Sequence, residues 1–197
     1  MSGAPPVGIL LAAGRGSRFD PTGAHNKLLA RLPDGGLVVA ASARNLLAVL
    51  PRVIAVVSSQ GDEVADVLRS LGCEVTVCAD AGQGMATSLV HAVRYSLPAA
   101  RSWIVALGDM PFVQAATIRA LCDALAAGAA IAAPVSGGRR GNPVGFSEQY
   151  LPDLLALEGD QGARAILMAH PVTQVSVDDP GIFDDIDRPL DLSRSRN

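Results

Sequence analysis

A single lysine, Lys27, stands among fifteen arginines in this chain, and it follows a loop that opens Gly14-Arg15-Gly16-Ser17-Arg18. Lysine carries a compact ammonium on a flexible stem, whereas arginine carries a wide planar fork. A lysine kept where arginine otherwise serves marks a position that calls for a point charge, and a crowded phosphate site is such a position. The preceding run Leu11-Ala12-Ala13-Gly14 is built of small residues after an apolar stretch, so its backbone N–H groups can cup phosphate oxygens. Arg15, Arg18 and Lys27 would add cations to the same pocket. Two familiar phosphate loops do not match. A P-loop needs glycine before its lysine, where this chain has Asn26. A Rossmann fingerprint needs a third glycine or alanine where this chain has Phe19.

Leu107-Gly108-Asp109-Met110-Pro111 places a carboxylate beside a glycine and ahead of a proline. Such a group can hold Mg²⁺, which takes one or two carboxylates together with phosphate oxygens and water. It can also cap the helix that follows, although residues 114–117 can start that helix themselves. A second carboxylate is available in the acidic cluster Asp178-Asp179 and Asp184-Asp185-Ile186-Asp187. Asp185 or Asp187 is the candidate, because the two flank one apolar residue and so can share a side. The rest of the cluster is expected to be solvated.

These residues need a scaffold, and the chain alternates apolar runs with amphipathic segments. Residues 7–12 read as a strand buried on both faces. Runs at 53–57, 74–78, 103–107 and 130–135 predict further strands, and segments near 37–50, 61–71, 85–97 and 114–128 predict the helices between them. Gly72 and Gly128 fall where helix C-caps belong. The pattern predicts a three-layer α/β/α sandwich on a Rossmann-like, mostly parallel sheet with right-handed crossovers. Ligands of such sheets gather beyond the carboxyl ends of the strands, where both the Gly14 loop and Asp109 fall. After residue 135 come a basic turn, Ser136-Gly137-Gly138-Arg139-Arg140-Gly141-Asn142-Pro143, and an apolar Val144-Gly145-Phe146. Helical patterns at 147–157 and 161–169 and a short strand near 172–177 complete the chain. With no linker or repeat, 1–197 reads as one domain with its core at about 7–192 and a frayed tail.

A length of 197 residues suffices for an ordinary core, and 49% hydrophobic with 4% aromatic content suits helices packed on a sheet. The net charge of −3 gives no basic footprint, so nucleic acid is not indicated. No apolar run reaches the ~18 residues of a membrane span and the start lacks a charged signal region, so the cytoplasm is expected. Cys73, Cys78 and Cys122 have no zinc or redox spacing and read as buried thiols, Cys73 and Cys78 on opposite faces of one strand. His91 and His170 read as surface or capping residues.

Several of these segments occur in a telling order. Leu11-Ala12-Ala13-Gly14-x-Gly16-Ser17-Arg18 and its lysine, Gly108-Asp109-Met110-Pro111, Arg140-Gly141-Asn142-Pro143-Val144, Gly159-Asp160-Gln161-Gly162-Ala163-Arg164 and Asp185-Ile186-Asp187-x-Pro189 together resemble the nucleotidyltransferases of molybdenum-cofactor maturation. The likeness runs from about residue 7 to 192. Ala12-Ala13-Gly14 is similar to the cytidylyltransferase branch, whereas the GTP enzymes resemble Ala-Gly-Gly. One departure is the segment 19–26, which lengthens the path from Arg18 to Lys27.

The resemblance implies the nucleotide-diphospho-sugar transferase type of fold and transfer of CMP from CTP to the terminal phosphate of molybdopterin, with release of pyrophosphate. Mg²⁺ would sit on Asp109 and Asp185, and Lys27, Arg15 and Arg18 would bind the triphosphate. Ala12, Ala13 and Gly14 with Gly82, Gly84, Met85 and Ser88 would enclose base and ribose, although Thr87 and Ser88 also suit a helix start. The acceptor would lie over Arg139, Arg140 and Asn142 and the Asp160 to Arg164 segment; the two arginines could equally only solubilise a hairpin. Open alternatives are guanylyl transfer to the same cofactor and a non-catalytic chaperone for it, with a molybdoenzyme or its chaperone as the receiving partner. A dinucleotide-binding dehydrogenase subunit is disfavoured by Phe19 and by Gly108-Asp109-Met110-Pro111.

Overall fold

The computed structural model describes residues 4–14, 16, 18–20, 22, 25–59, 63–160 and 162–193. Arg15, Ser17 and Gln161, singled out above, and the tail 194–197 lie outside the described residues. The predicted alternation is present as β1 (Val7–Leu11), α1 (Val38–Leu47), β2 (Val53–Val57), α2 (Glu63–Ser70), β3 (Glu74–Val77), α3 (Met85–Ser96), β4 (Ser102–Leu107), α4 (Ala115–Ala126) and β5 (Ile131–Ser136). Then follow β6 (Arg139–Arg140), β7 (Val144–Ser147), α5 (Leu151–Leu155), α6 (Arg164–Ala169) and β8 (Thr173–Ser176). Gly72 and Gly128 both adopt positive φ, as αL caps do.

The strands form one eight-stranded sheet in the order β3-β2-β1-β4-β7-β5-β6, with β8 beside β5. Pairing is parallel from β3 through β4 and antiparallel where β7 lies between β4 and β5. The apolar run Val144-Gly145-Phe146 is too short to show a period, so the sequence assigns it no element. In the sheet it is the strand that sets Phe146 opposite Trp103 and Ile131. All three side chains are essentially fully buried, each contributing about 2–3 kcal/mol of apolar transfer energy.

Alternation along the central strands divides the core. Leu10, Val53, Ala55, Val57 and Ile104 pack on one face with residues of α1, α2 and α4. Ile9, Ile54, Val56, Trp103 and Val105 pack on the other with α3, α5 and α6. Helices on both faces make the three layers. Cys73 and Cys78 bracket β3 and fall in opposite layers, as the odd offset requires. Burial pushes the thiol pKa of Cys73 up to about 11. His91 bonds Thr76 Oγ1 through Nε2 at 2.8 Å.

The acidic cluster is less solvated than its composition suggests, because Asp179 is only 1% exposed. Its carboxylate accepts from Gln114 N (2.8 Å), Thr117 Oγ1 (2.7 Å) and Gly181 N (2.9 Å). Gln114 is the N-cap residue of α4 and offers no side-chain cap of its own. Asp179 therefore caps α4 from a distance, and Asp109 does not. A buried carboxylate holding three donors contributes more than one neutral hydrogen bond, since charge-assisted bonds are worth ~1.5–3 kcal/mol each. Asp179→Ala should lower unfolding stability by about 3 kcal/mol in a urea titration. Asp179→Asn, which keeps an acceptor oxygen, should lose less.

Candidate active site

Beyond the carboxyl ends of β1 and β4 lies a cavity of about 430 Å³. Leu11 lines it from the end of β1, and Ala13, Gly14 and Gly16 from the loop that follows, together with Arg18, Phe19 and Lys27. Ala12 lies beneath, buried in the core. Gly82, Gly84, Met85 and Ser88 line the wall made by the start of α3. Gly84 must be glycine: φ is +131°, and a Cβ there would collide with the carbonyl oxygen of Gly159. The loop carrying Asp160, also a lining residue, thereby docks on the N-terminus of α3, where the Ala86 N–H bonds Gly159 O at 3.1 Å. Because α3 starts at Met85 behind Gly84, neither Thr87 nor Ser88 is its N-cap.

Two more segments complete the cavity. Asp109 leaves the end of β4, and the Asp109 carbonyl accepts the Ile186 N–H at 2.9 Å. Ile186 is buried with Leu32 and Val38. Its neighbours Asp185 and Asp187 both reach the cavity, as the i and i+2 positions of an extended chain do.

Charges meet at Lys27. Its Nζ lies 2.6 Å from Asp109 Oδ2 and 3.1 Å from Asp187 Oδ1, and Arg18 Nη1 lies 2.7 Å from Asp187 Oδ2. Lys27 is only 8% exposed. Burial alone would depress its pKa, but the charge of Asp109 and then the bonds to both carboxylates outweigh it and raise the pKa above the usual value. The same opposition acts on Asp187: burial raises its pKa, the hydrogen bonds from Arg18 and Lys27 lower it, and the net direction is down. Asp185 reaches solvent, yet the protein around its carboxyl, with the like charges of Asp187 and Asp109, holds its pKa above the usual range.

The lengthened loop delivers the lysine. Asp20 accepts from Thr22 N (2.8 Å), Thr22 Oγ1 (2.6 Å) and His25 N (2.8 Å), and pairs with His25 Nδ1 at 3.0 Å. The Thr22 bonds lead the causes that hold its carboxyl well below the usual range. Asn26 then accepts from Leu28 N (3.0 Å) and caps the 3-10 turn Lys27–Leu29. Residues 21, 23 and 24 lie outside the described residues.

Among the described residues, no three His, Cys, Asp or Glu side chains are grouped to hold a metal. Asp109, Asp185 and Asp187 all line the cavity, and one or two carboxylates completed by phosphate oxygens and water are a donor set of the kind that Mg²⁺ takes. An ammonium already bridges Asp109 and Asp187, so this spot favours a cation. Arg140, Asn142 and Arg164 do not line the cavity. Arg140 donates to Leu167 O at 3.5 Å, and Arg139 covers the Phe183 ring at 4.5 Å. Phe19, Leu28, Ala81 and Leu107 also line the cavity, although nothing in the sequence marks them. Apolar residues at such positions carry no charge signal to single them out.

Comparisons with known proteins agree with this architecture. The model of the MobA-like NTP transferase domain matches residues 8–175. Rv0371c from Mycobacterium tuberculosis H37Rv is similar at 27% identity and TM-score 0.79 over 96% of each chain. Its complex with manganese gives 27% and 0.75 over 97% of each. The molybdopterin-guanine dinucleotide biosynthesis protein A of Archaeoglobus fulgidus shares the fold, at 21% identity and TM-score 0.69 over 95% of each chain. A sequence comparison with the curated proteins found no match. No helix among the described residues is long and apolar enough to cross a membrane. With the family model spanning most of the chain and the charged loops converging on one cavity, the chain belongs to the MobA-like NTP transferase family and is a nucleotidyltransferase.

Proposed function

We propose that the chain transfers CMP from CTP to the terminal phosphate of molybdopterin or its molybdenum-bearing form, in the cytoplasm. The observation that carries this reading is the meeting of Lys27 and Arg18 with Asp109, Asp185 and Asp187 on one cavity. An oxygen of the acceptor phosphate forms a bond to the α-phosphorus of the nucleotide. The bridging α–β P–O bond breaks, and its electron pair leaves on pyrophosphate. Positioning and charge neutralisation dominate such a transfer.

Lys27 and Arg18 hold the triphosphate and offset the charge that grows on the departing pyrophosphate. Both cations contact carboxylates, so triphosphate oxygens and carboxylate oxygens compete for them. Mg²⁺, held by Asp109 and Asp185, would neutralise phosphate oxygens; the manganese complex of Rv0371c supports a divalent ion in this family. The small residues Ala13 and Gly14 and the start of α3, lined by Gly82, Gly84, Met85 and Ser88, enclose base and ribose. A helix N-terminus favours an anionic ligand. Asp160 borders the acceptor side, and Arg140, Asn142 and Arg164 join it only if the acceptor extends past the cavity described above.

Preference for CTP rests on Ala12-Ala13-Gly14. Guanylyl transfer is the second reading, favoured by the fold shared with the guanine dinucleotide protein of A. fulgidus. Pyrophosphate release measured with molybdopterin, Mg²⁺ and each of CTP, GTP, ATP and UTP decides between them. Release from CTP alone is expected; release only from GTP would replace the first reading with the second, and tight binding without release would indicate a chaperone. Asp109→Ala should reduce kcat by about 10³-fold in protein that is still folded by circular dichroism, and full activity would remove Asp109 from the site. Lys27→Arg should lose about 10²-fold, because a planar fork does not fit where a buried ammonium reaches two carboxylates.

A further inference from the structure

The turn that carries Asp109 is held by helix α1, through side chains with no part in the chemistry described above. Ser42 is 4% exposed. Its Oγ lies 3.0 Å from Gly108 O and 3.2 Å from Val38 O, so one hydroxyl proton is shared between its own helix and the turn. Asn45 Nδ2 donates to Pro111 O at 3.0 Å. Between them, the Asp109 carbonyl accepts from Ile186 N at 2.9 Å. Gly108, Asp109 and Pro111 thus each have their carbonyl held by a different donor, which fixes the plane of the peptide groups from which the Asp109 side chain projects.

The donors on α1 are not scattered. Val38, Ser42 and Asn45 stand at i, i+4 and i+7, one stripe of an α-helix. Val38 packs in the same buried cluster as Ile186, the residue between Asp185 and Asp187. The Val38 N–H bonds Ala30 O at 3.1 Å, directly after the turn Lys27–Leu29. One helix face therefore touches all three charge-bearing segments: the Lys27 turn, the Asp109 turn and the segment from Asp185 to Asp187. An interior packed to crystal-like density passes small displacements on to its neighbours.

We propose that Ser42 and Asn45 are positioning residues for nucleotidyl transfer: by holding Gly108 and Pro111 they set the Asp109 carboxylate against Lys27 and against the metal-nucleotide complex. Neither residue lines the cavity, so neither touches substrate. The role rests on the nucleotidyltransferase reading, and it goes beyond that reading by assigning function to a helix outside the site.

The test measures Mn²⁺ affinity, by electron paramagnetic resonance of the free ion, in the presence of non-hydrolysable CTP and GTP analogues in separate titrations, alongside steady-state kinetics and melting curves. Ser42→Ala should weaken the Mn²⁺ Kd and lower kcat by about tenfold each, with one Mn²⁺ still bound per folded chain, and Ser42→Thr should restore both. Asn45→Ala should act in the same direction and by less, because Asn45 is only half-buried. Loss of folded protein alone would lower the number of sites and leave the Kd of the remainder unchanged. Wild-type Kd and kcat in Ser42→Ala and Asn45→Ala, whatever their melting temperatures, overturn the positioning role and leave the transferase reading standing. A wild-type chain that takes up no Mn²⁺ with either analogue and releases no pyrophosphate overturns both.

Discussion

The ion cluster at Lys27 constrains everything around it. Of the four carboxylates that line the cavity, Asp109, Asp185 and Asp187 act on one another as like charges, and such charges repel strongly where water is partly excluded. Lys27 makes the arrangement tenable by contacting two of them, with Arg18 sharing the second. A buried ion pair is stable only if its remaining polar groups are satisfied and its geometry is held. Consistent with that requirement, no buried side-chain nitrogen or oxygen among the described residues lacks a partner. The cost of dehydrating these charges is offset by hydrogen bonds from several segments far apart in the chain. In the function proposed above, the same cations and carboxylates are the groups that a metal-bound triphosphate would engage, in place of the contacts they now make with one another.

Support for the cluster comes from backbone as much as from side chains. The Ile186 N–H bond to the Asp109 carbonyl brings the late acidic segment to the end of β4. Asp191 reinforces it: its Oδ2 accepts from the N–H groups of Asp187 (3.0 Å) and Arg188 (2.7 Å). On the opposite side Asp20 closes the lengthened loop, and Asn26 caps the turn that begins with Lys27. Three short polar side chains, Asp20, Asn26 and Asp191, therefore shape loops that no regular element holds. Loops can carry precise chemistry in this way because a rigid sheet fixes their ends.

Much of this was legible in the sequence for a physical reason. Strands buried on both faces must be continuously apolar, so β1, β2 and β4 declare themselves, and the open sheet then dictates where Gly14 and Asp109 emerge. The lone lysine and the pair flanking Ile186 were readable because charge beside apolar residues is uncommon unless it is used. What escaped was non-local. Nothing in Val144-Gly145-Phe146 says that it pairs with both Trp103 and Ile131, since its identity as a strand comes from its partners. Asp179 looked like one more solvated acid because the donors it satisfies lie 62 and 65 residues away. Arg140 and Asn142, neighbours of the site by motif, belong in space to the edge beside α6 and to the backbone of Ile182.

The distant cap on α4 bears on how the protein is made. A chain emerging from the ribosome can lay down β1 to β4 in order, since each pairs with a strand already synthesised. Helix α4 must then wait for Asp179, and Lys27 must wait for Asp187, through more than fifty further residues. Until those arrive, Asp109 alone faces the lysine and the first turn of α4 is uncapped. The segment that carries Asp179 and Asp187 thus closes both the helix and the charge balance of the cavity, so a product cut before it would carry most of the sheet without a finished site.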